Sequence, residues 1–202
     1  MSLRLQVDGN EVLDLSFIIA PGWVVKSKAT DILLITRLQG TSGCHRQAKL
    51  VRKRLHEYSP RKLLLAALEG TANAFGIGEM EAVCAAYQRS YGRTSTAILE
   101  SGYDDFFAKA GMIKTSAGFY SRPIPFEAKP LALFKGRNRS RARKSRAVRQ
   151  QIKSACTAFL LGTTDRAVNL SFGAVCSVQA PGAAEPLPIS ISCPEADCNL
   201  NP

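Results

Sequence analysis

The sequence predicts a mixed α/β fold, an α+β mixed sheet flanked by helices, on three observations. The chain opens with two apolar-alternating runs around a tight turn, a continuous apolar run then marks a central strand, and helix and strand signals interleave after it. With 202 residues, 46% of them hydrophobic, the chain can bury an ordinary core, and residues 1–162 read as a single domain. Residues 163–178 add an apolar run that reads as an extra strand. Residues 179–202 carry Pro181, Pro186, Pro188 and Pro194 without periodicity, which predicts a disordered tail.

Leu3 to Val7 and Val12 to Ile19 alternate around Asp8-Gly9, a strong short-range signal for a β-hairpin. After Pro21-Gly22, Asp31 to Leu38 (DILLITRL) is the kind of run that a central strand buries on both faces, and it stops at the turn Gln39-Gly40-Thr41-Ser42-Gly43. Cys44 to Glu57 reads as a helix with few apolar positions, exposing Arg46, Lys49, Arg52, Lys53 and Arg54. A second helix starts at Ser59-Pro60, an N-cap serine with proline at the first helical position; Leu64, Leu65, Leu68, Ala72 and Phe75 fall at helical spacing before Gly76. Glu79 to Ala85 reads as a strand, Ser101 to Met112 as a short helix ended by Gly111, and Gly118 to Ile124 as a further strand between prolines.

One stretch dominates the charge. Lys135, Arg137, Arg139, Arg141, Arg143, Lys144, Arg146, Arg149 and Lys153 lie together with no acidic residue among them, and they supply +9 of the formal +11. The other 18 Lys and Arg against 16 Asp and Glu leave +2, so a nearly neutral protein carries one intensely basic segment. Such a block needs an anionic partner. Val148, Ile152, Ala155, Cys156, Phe159 and Leu160 then repeat at helical intervals to Gly162, so the segment reads as the charged front of a helix that packs on the domain.

The N-terminus lacks the basic and apolar regions of a secretory signal, and no stretch approaches the ~20 apolar residues that span a bilayer. A cytosolic protein, or one peripheral at the inner membrane, is expected. The six cysteines form no CxxC pair, so a metal site is not expected and reduced thiols are. His45 and His56 are the only histidines, and no Ser/His/Asp arrangement can be assigned; Cys44 beside His45 leaves a thiol nucleophile open.

The stretch SPRKLLLAALEGTANAFGIGEMEAV, followed by YDDFFAKAGM, resembles the central helix, following strand and late tyrosine element of the acetyltransferase (GNAT) superfamily, which binds acyl-coenzyme A. That resemblance implies a GNAT-like acyltransferase architecture and a pyrophosphate held by backbone N–H groups at a helix start. Two places could serve. One is the turn with Arg37, Gln39, Gly40 and Gly43, where serine stands at one of the superfamily's required glycine positions; the other is the helix start at Ser59, Arg61 and Lys62. An extra helix, Cys44 to Glu57, separates the two.

A further resemblance is to the VirK/YbjX family, a bacterial domain of unknown function. It rests on the strand ending in Leu38-Gln39-Gly40, on Leu55 to Leu65, on Tyr103-Asp104-Asp105-Phe106-Phe107, and on Gly118-Phe119-Tyr120 with Pro123 ahead of the basic run, in that order from about Leu13 to Leu161. Where members read more like G-L-R-P-K, this chain has Glu57-Tyr58-Ser59-Pro60-Arg61. The resemblance implies an association with virulence and with tolerance of cationic antimicrobial peptides, and leaves the chemistry open.

Acyl transfer to an amine needs a base for the amine proton and an acid near the departing thiolate. Glu79 or Glu81 are the candidate bases, Tyr103 or Tyr120 the candidate acids, and Asp104 a candidate for orienting the acceptor. Arg139, Arg141 and Arg143 join the candidate phosphate ligands if the basic segment lines an anionic pocket. Its place inside the family pattern favours that over a membrane-surface patch or a nucleic-acid arm, and the run has no aromatic after Phe134 for base stacking. The leading expectation is an acyltransferase-like protein using acyl-coenzyme A or an acyl carrier on an amine or hydroxyl. The alternative is a non-enzymatic basic module for anionic lipid or nucleic acid.

Overall fold

A computed structural model describes residues 1–55, 57–88, 96–164, 176–177 and 189–192. Strands β1 (Ser2–Val7) and β2 (Asn10–Pro21) form the opening hairpin. Asp8 and Gly9 both have positive φ, at 52° and 75°, the geometry of a two-residue turn whose twist matches the strands it joins. β3 (Asp31–Gly40) pairs antiparallel with β2, and Ile32 to Ile35 are buried in succession because both of its faces are covered.

Two helices follow, α1 (His45–Arg54) and α2 (Pro60–Ala74), and they lead to β4 (Glu79–Val83), parallel to β3. The stretch read as one helix from Ser101 to Met112 is divided. α3 (Thr96–Gly102) ends before Tyr103 and α4 (Asp104–Lys109) begins after it. Tyr103, between them, has φ −108° and ψ −68°, and its ring meets Phe107 at 6.4 Å, tilted by 54°. β5 (Ile113–Lys114), too short to show in the sequence, and β6 (Phe119–Pro123) form a hairpin, and β6 pairs antiparallel with β4.

From Arg137 on, the basic run makes up the N-terminal part of α5 (Gly136–Thr164), a 29-residue helix. Two short strands, β7 (Cys176–Ser177) and β8 (Ile189–Ser192), extend the sheet past β1, giving the order β5-β6-β4-β3-β2-β1-β8-β7. The remainder of 163–178 beyond Thr164, and of 179–202, lies outside the described residues, as does His56.

The sheet has two unlike faces. Leu5, Leu15, Phe17, Leu33, Ile35, Met80 and Ala82 point into the main core, which α2 fills with Leu64 and Leu68 and α5 with Val148, Ile152 and Cys156. α2 and α5 cross closely at Gly70, where an added Cβ would lie 2.5 Å from the Lys153 carbonyl oxygen. The opposite face carries a small cluster of Ala20, Val25, Ile32 and Leu34, in which Val25 comes from a short 3-10 helix (Gly22–Val25) and no α-helix takes part among the described residues. No helix among them is long and apolar enough to cross a membrane, and no group of three His, Cys, Asp or Glu could hold a metal.

Candidate functional site

β3 and β4 keep register only over Leu33–Ile35 and Met80–Ala82, and then they part. β3 runs on to Gly40 against β2, while β4 gives way to a 3-10 turn at Ala85–Tyr87. Backbone groups left without a strand partner must be satisfied some other way. Gln88 Nε2 donates to the Thr36 carbonyl at 3.1 Å, and the Leu38 N–H donates to the Tyr103 hydroxyl at 3.4 Å. The tyrosine hydroxyl therefore stands in the gap.

A cavity of about 440 Å³ lies between β2, the end of β3, the start of α1 and the start of α2. Gly40, Ser59 and Arg61 line it, with Cys44 and His45. Ser59 has the extended backbone of an N-cap and its carbonyl takes the Leu63 N–H at 3.1 Å, but its side chain makes no capping bond. Proline at the next position has no N–H, so the first donors of α2 belong to Arg61 and Lys62 and are not met by the serine hydroxyl. Arg61 donates to the Gly102 carbonyl at 2.9 Å and lies over the Phe106 ring at 5.5 Å; burial lowers its pKa and Tyr103 opposes that. The Cys44 thiol donates to the Glu11 carbonyl at 3.3 Å, which ties it down.

Arg37, Gln39 and Gly43 do not themselves line the cavity, although Gly43 lies between the lining residues Ser42 and Cys44. Arg37 and Gln39 are exposed and pair with each other, Arg37 Nε reaching Gln39 Oε1 at 2.7 Å. Gly43 supplies a left-handed turn at φ 81° and Lys62 faces another cavity, under α5.

Glu79 and Glu81 alternate on β4 with Met80 and Ala82, so they project from the face opposite the main core. They line a cavity of about 340 Å³ between the β2–β3 loop and the β5–β6 turn. Glu79 accepts from Ser121 Oγ at 2.9 Å and from the Ser27 hydroxyl. Glu81 is 2% exposed and its Oε2 has no hydrogen-bond partner among the described residues. Burial pushes its pKa up to about 7; a hydroxyl hydrogen bond from Ser121 pulls the other way, and the neighbouring Glu79 adds to the rise.

Asp104 and Tyr120 are spoken for by the fold. Asp104 Oδ1 accepts the Ala85 N–H at 2.7 Å and Oδ2 meets Lys114 at 3.4 Å, which fixes the start of α4 against the end of β4. Tyr120 is buried against Phe107 at 5.9 Å, and burial raises its pKa, with Asp104 adding to the rise. The structure thus joins Glu79 with Glu81 on one face and Tyr103 with Arg61 at the gap, and it gives Asp104 and Tyr120 packing and capping contacts.

Arg139, Arg141 and Arg143 are exposed on the first turns of α5 and line none of these cavities. The arginines that engage the domain come later in the run. Arg149 pairs with Glu69, which is fully buried, and Arg146 donates to the Lys129 carbonyl. A lone acid in the apolar stretch LLLAALEGTANA, four residues after Leu65 on the buried side, was the available signal for Glu69.

The α/β core thus pairs a gap between parallel strands with a basic helix docked on α2. A family model described as a protein of unknown function (DUF535), the VirK/YbjX family, matches residues 1–158, and the chain belongs to that family. The match takes in the whole basic run. No curated protein and no solved structure matches the chain.

Proposed function

We propose that the chain is an acyltransferase-like enzyme that moves an acyl group from acyl-coenzyme A or an acyl carrier to an amine or hydroxyl acceptor. The parting of β3 and β4, with a cavity where the end of β3 meets the start of α2, carries this reading. Open α/β sheets bind ligands beyond the carboxyl ends of their strands, and a helix N-terminus offers donors and partial positive charge to phosphate. Arg61 and the first N–H groups of α2 would take the donor's phosphates, and the gap would take its thioester arm. The order β3, helices, parallel β4, then a β5–β6 hairpin returning beside β4 supports a GNAT-like core.

In the transfer, the acceptor's lone pair forms a bond to the thioester carbon and the carbon–sulfur bond breaks. The Tyr103 hydroxyl gives its proton to the departing thiolate, and Glu81 takes the acceptor's proton. Glu81 lies opposite Leu34 in register and opens on its own cavity, and the four residues from there to Leu38 span roughly 13 Å of strand, so a chain of several waters must carry the acceptor's proton to it. A carboxyl with a pKa about 7 is poised for this at neutral pH. Isothermal titration with acetyl- and longer acyl-coenzyme A at low salt tests the reading. Binding at some chain length supports it, and no binding at any length ends it.

The exposed Arg139, Arg141 and Arg143 favour a second reading, a non-enzymatic module for anionic lipid or nucleic acid. Vesicle flotation and gel shift with the triple alanine variant separate those partners.

A further inference from the structure

A cavity of about 290 Å³ lies under the middle of α5, walled by the start of α2, the end of α4 and the segment from Arg122 to Lys129. Lys62, Lys109, Arg122, Lys129, Arg146 and Arg149 line it, against a single lining acid, Glu127. Glu69, behind the wall, is already taken up: it pairs with Arg149 at 2.7 Å, lies 3.7 Å from Lys153, and accepts the Phe126 N–H at 3.1 Å. Lys109 is held by Asp105 at 3.2 Å. Lys62 and Lys129 meet no carboxylate among the described residues.

Two of these cations are held rigidly. Arg122 donates to the carbonyls of Ala110 and Glu127 and stacks on Phe126 at 4.2 Å. Arg149 donates to Glu69 and to the Phe126 carbonyl and lies 5.3 Å from the same ring. One phenyl ring therefore organises two guanidinium forks. Cations this close repel: burial, and then Arg149, lower the pKa of Arg122. Fixed guanidinium forks suit the geometry of phosphate, and a dianion would offset the excess of charge.

We infer that this cavity is a binding site for a phosphate group, supplied by a soluble phosphate ester or by a lipid headgroup. At about 30 Å³ per water, the space has room for a phosphate and a group attached to it. The inference does not rest on the acyl-donor reading, whose cavity lies on the other side of the α2 start.

The test titrates the full chain at low salt with inorganic phosphate and with pyrophosphate, alongside the variants Lys62→Ala/Lys129→Ala and Arg139→Ala/Arg141→Ala/Arg143→Ala. Both substituted sets are exposed, so both variants fold; far-UV circular dichroism checks this. The wild type binds one or both anions, the lysine pair variant weakens binding about tenfold or more, and the arginine triple variant keeps it. Flotation on vesicles of phosphatidic acid in phosphatidylcholine, with inorganic phosphate as competitor, distinguishes the sources. Flotation that phosphate reverses assigns the headgroup, and anion binding without flotation assigns the soluble ester. No binding of either anion by the wild type overturns the inference, and so does binding that the arginine triple variant loses and the lysine pair variant keeps.

Discussion

Arg149 Nη2 donates to Glu69 Oε2 at 2.7 Å, with Nε of the same guanidinium on the same oxygen at 3.0 Å, across 80 residues of sequence. This contact joins the basic run to the core, because Glu69 is fully buried in α2 and its carboxylate also takes the Phe126 N–H. The segment that supplies most of the protein's net charge is thereby part of the folded domain.

Replacing Glu69 by alanine strands Arg149, with Lys153 beside it, near an apolar helix interface. A broken buried pair costs about 3–5 kcal/mol, whereas replacing both partners by apolar residues of similar size is far milder. Denaturant melts of Glu69→Ala, and of Glu69→Leu with Arg149→Met, check this. The double variant should recover most of the loss.

Gly70 is the point at which α2 and α5 come nearest. A methyl there would lie 2.5 Å from the Lys153 carbonyl oxygen and 2.9 Å from Cys156 Cβ, so the helices must move apart. Gly70→Ala should cost about 1–3 kcal/mol despite the better helix propensity of alanine. Gly78, where an added Cβ meets nothing within 4 Å, provides the control, and thermal melts should find Gly78→Ala close to wild type.

Glu81 makes stability fall as pH rises. Its carboxyl has a pKa about 7 in the fold, above its unfolded value, so the folded state holds a proton that the unfolded state has lost between those two values. The stability present at acid pH is lost as pH climbs through about 7. In Glu81→Gln this loss should disappear, and the difference in Tm between variant and wild type should grow in the variant's favour from about pH 5 to pH 8. Equal pH slopes in the two proteins would contradict the placement of Glu81.

Tyr103 makes two separate contributions, one to the fold and one to the chemistry. Tyr103→Phe removes the acceptor for the Leu38 N–H, a loss of about 1 kcal/mol, and removes the proton for the thiolate. Transfer to amine acceptors should slow about 10²-fold or more with binding of the acyl donor retained. An unchanged rate would remove the hydroxyl from the mechanism.

Local chemistry made much of this fold legible. Asp8-Gly9 predicts its turn because φ is positive at both residues, DILLITRL predicts a strand buried on both faces, and Ser59-Pro60 predicts a helix start. The division at Tyr103 was hidden in the sequence, and the contact its hydroxyl makes is with Leu38, 65 residues away. Likewise the basic run pointed to Arg139, Arg141 and Arg143, the densest charges, while the contacts are made by Arg146 and Arg149, whose partners lie on the segment before α5 and on α2. Asp104, expected to orient the acceptor, holds the Ala85 N–H on its Oδ1, a contact that its place beside Tyr103 in the sequence does not reveal. Charge and spacing reveal which residues seek partners, and only the tertiary pairing reveals which have found them.

Amide hydrogen exchange with and without a long-chain acyl-coenzyme A tests most directly whether the donor occupies the gap between β3 and β4. Protection should appear at Thr36 to Gly40 and at Arg61 to Leu63, with Tyr103→Phe showing the same pattern. Protection confined to α5, or none at saturating donor, would contradict it.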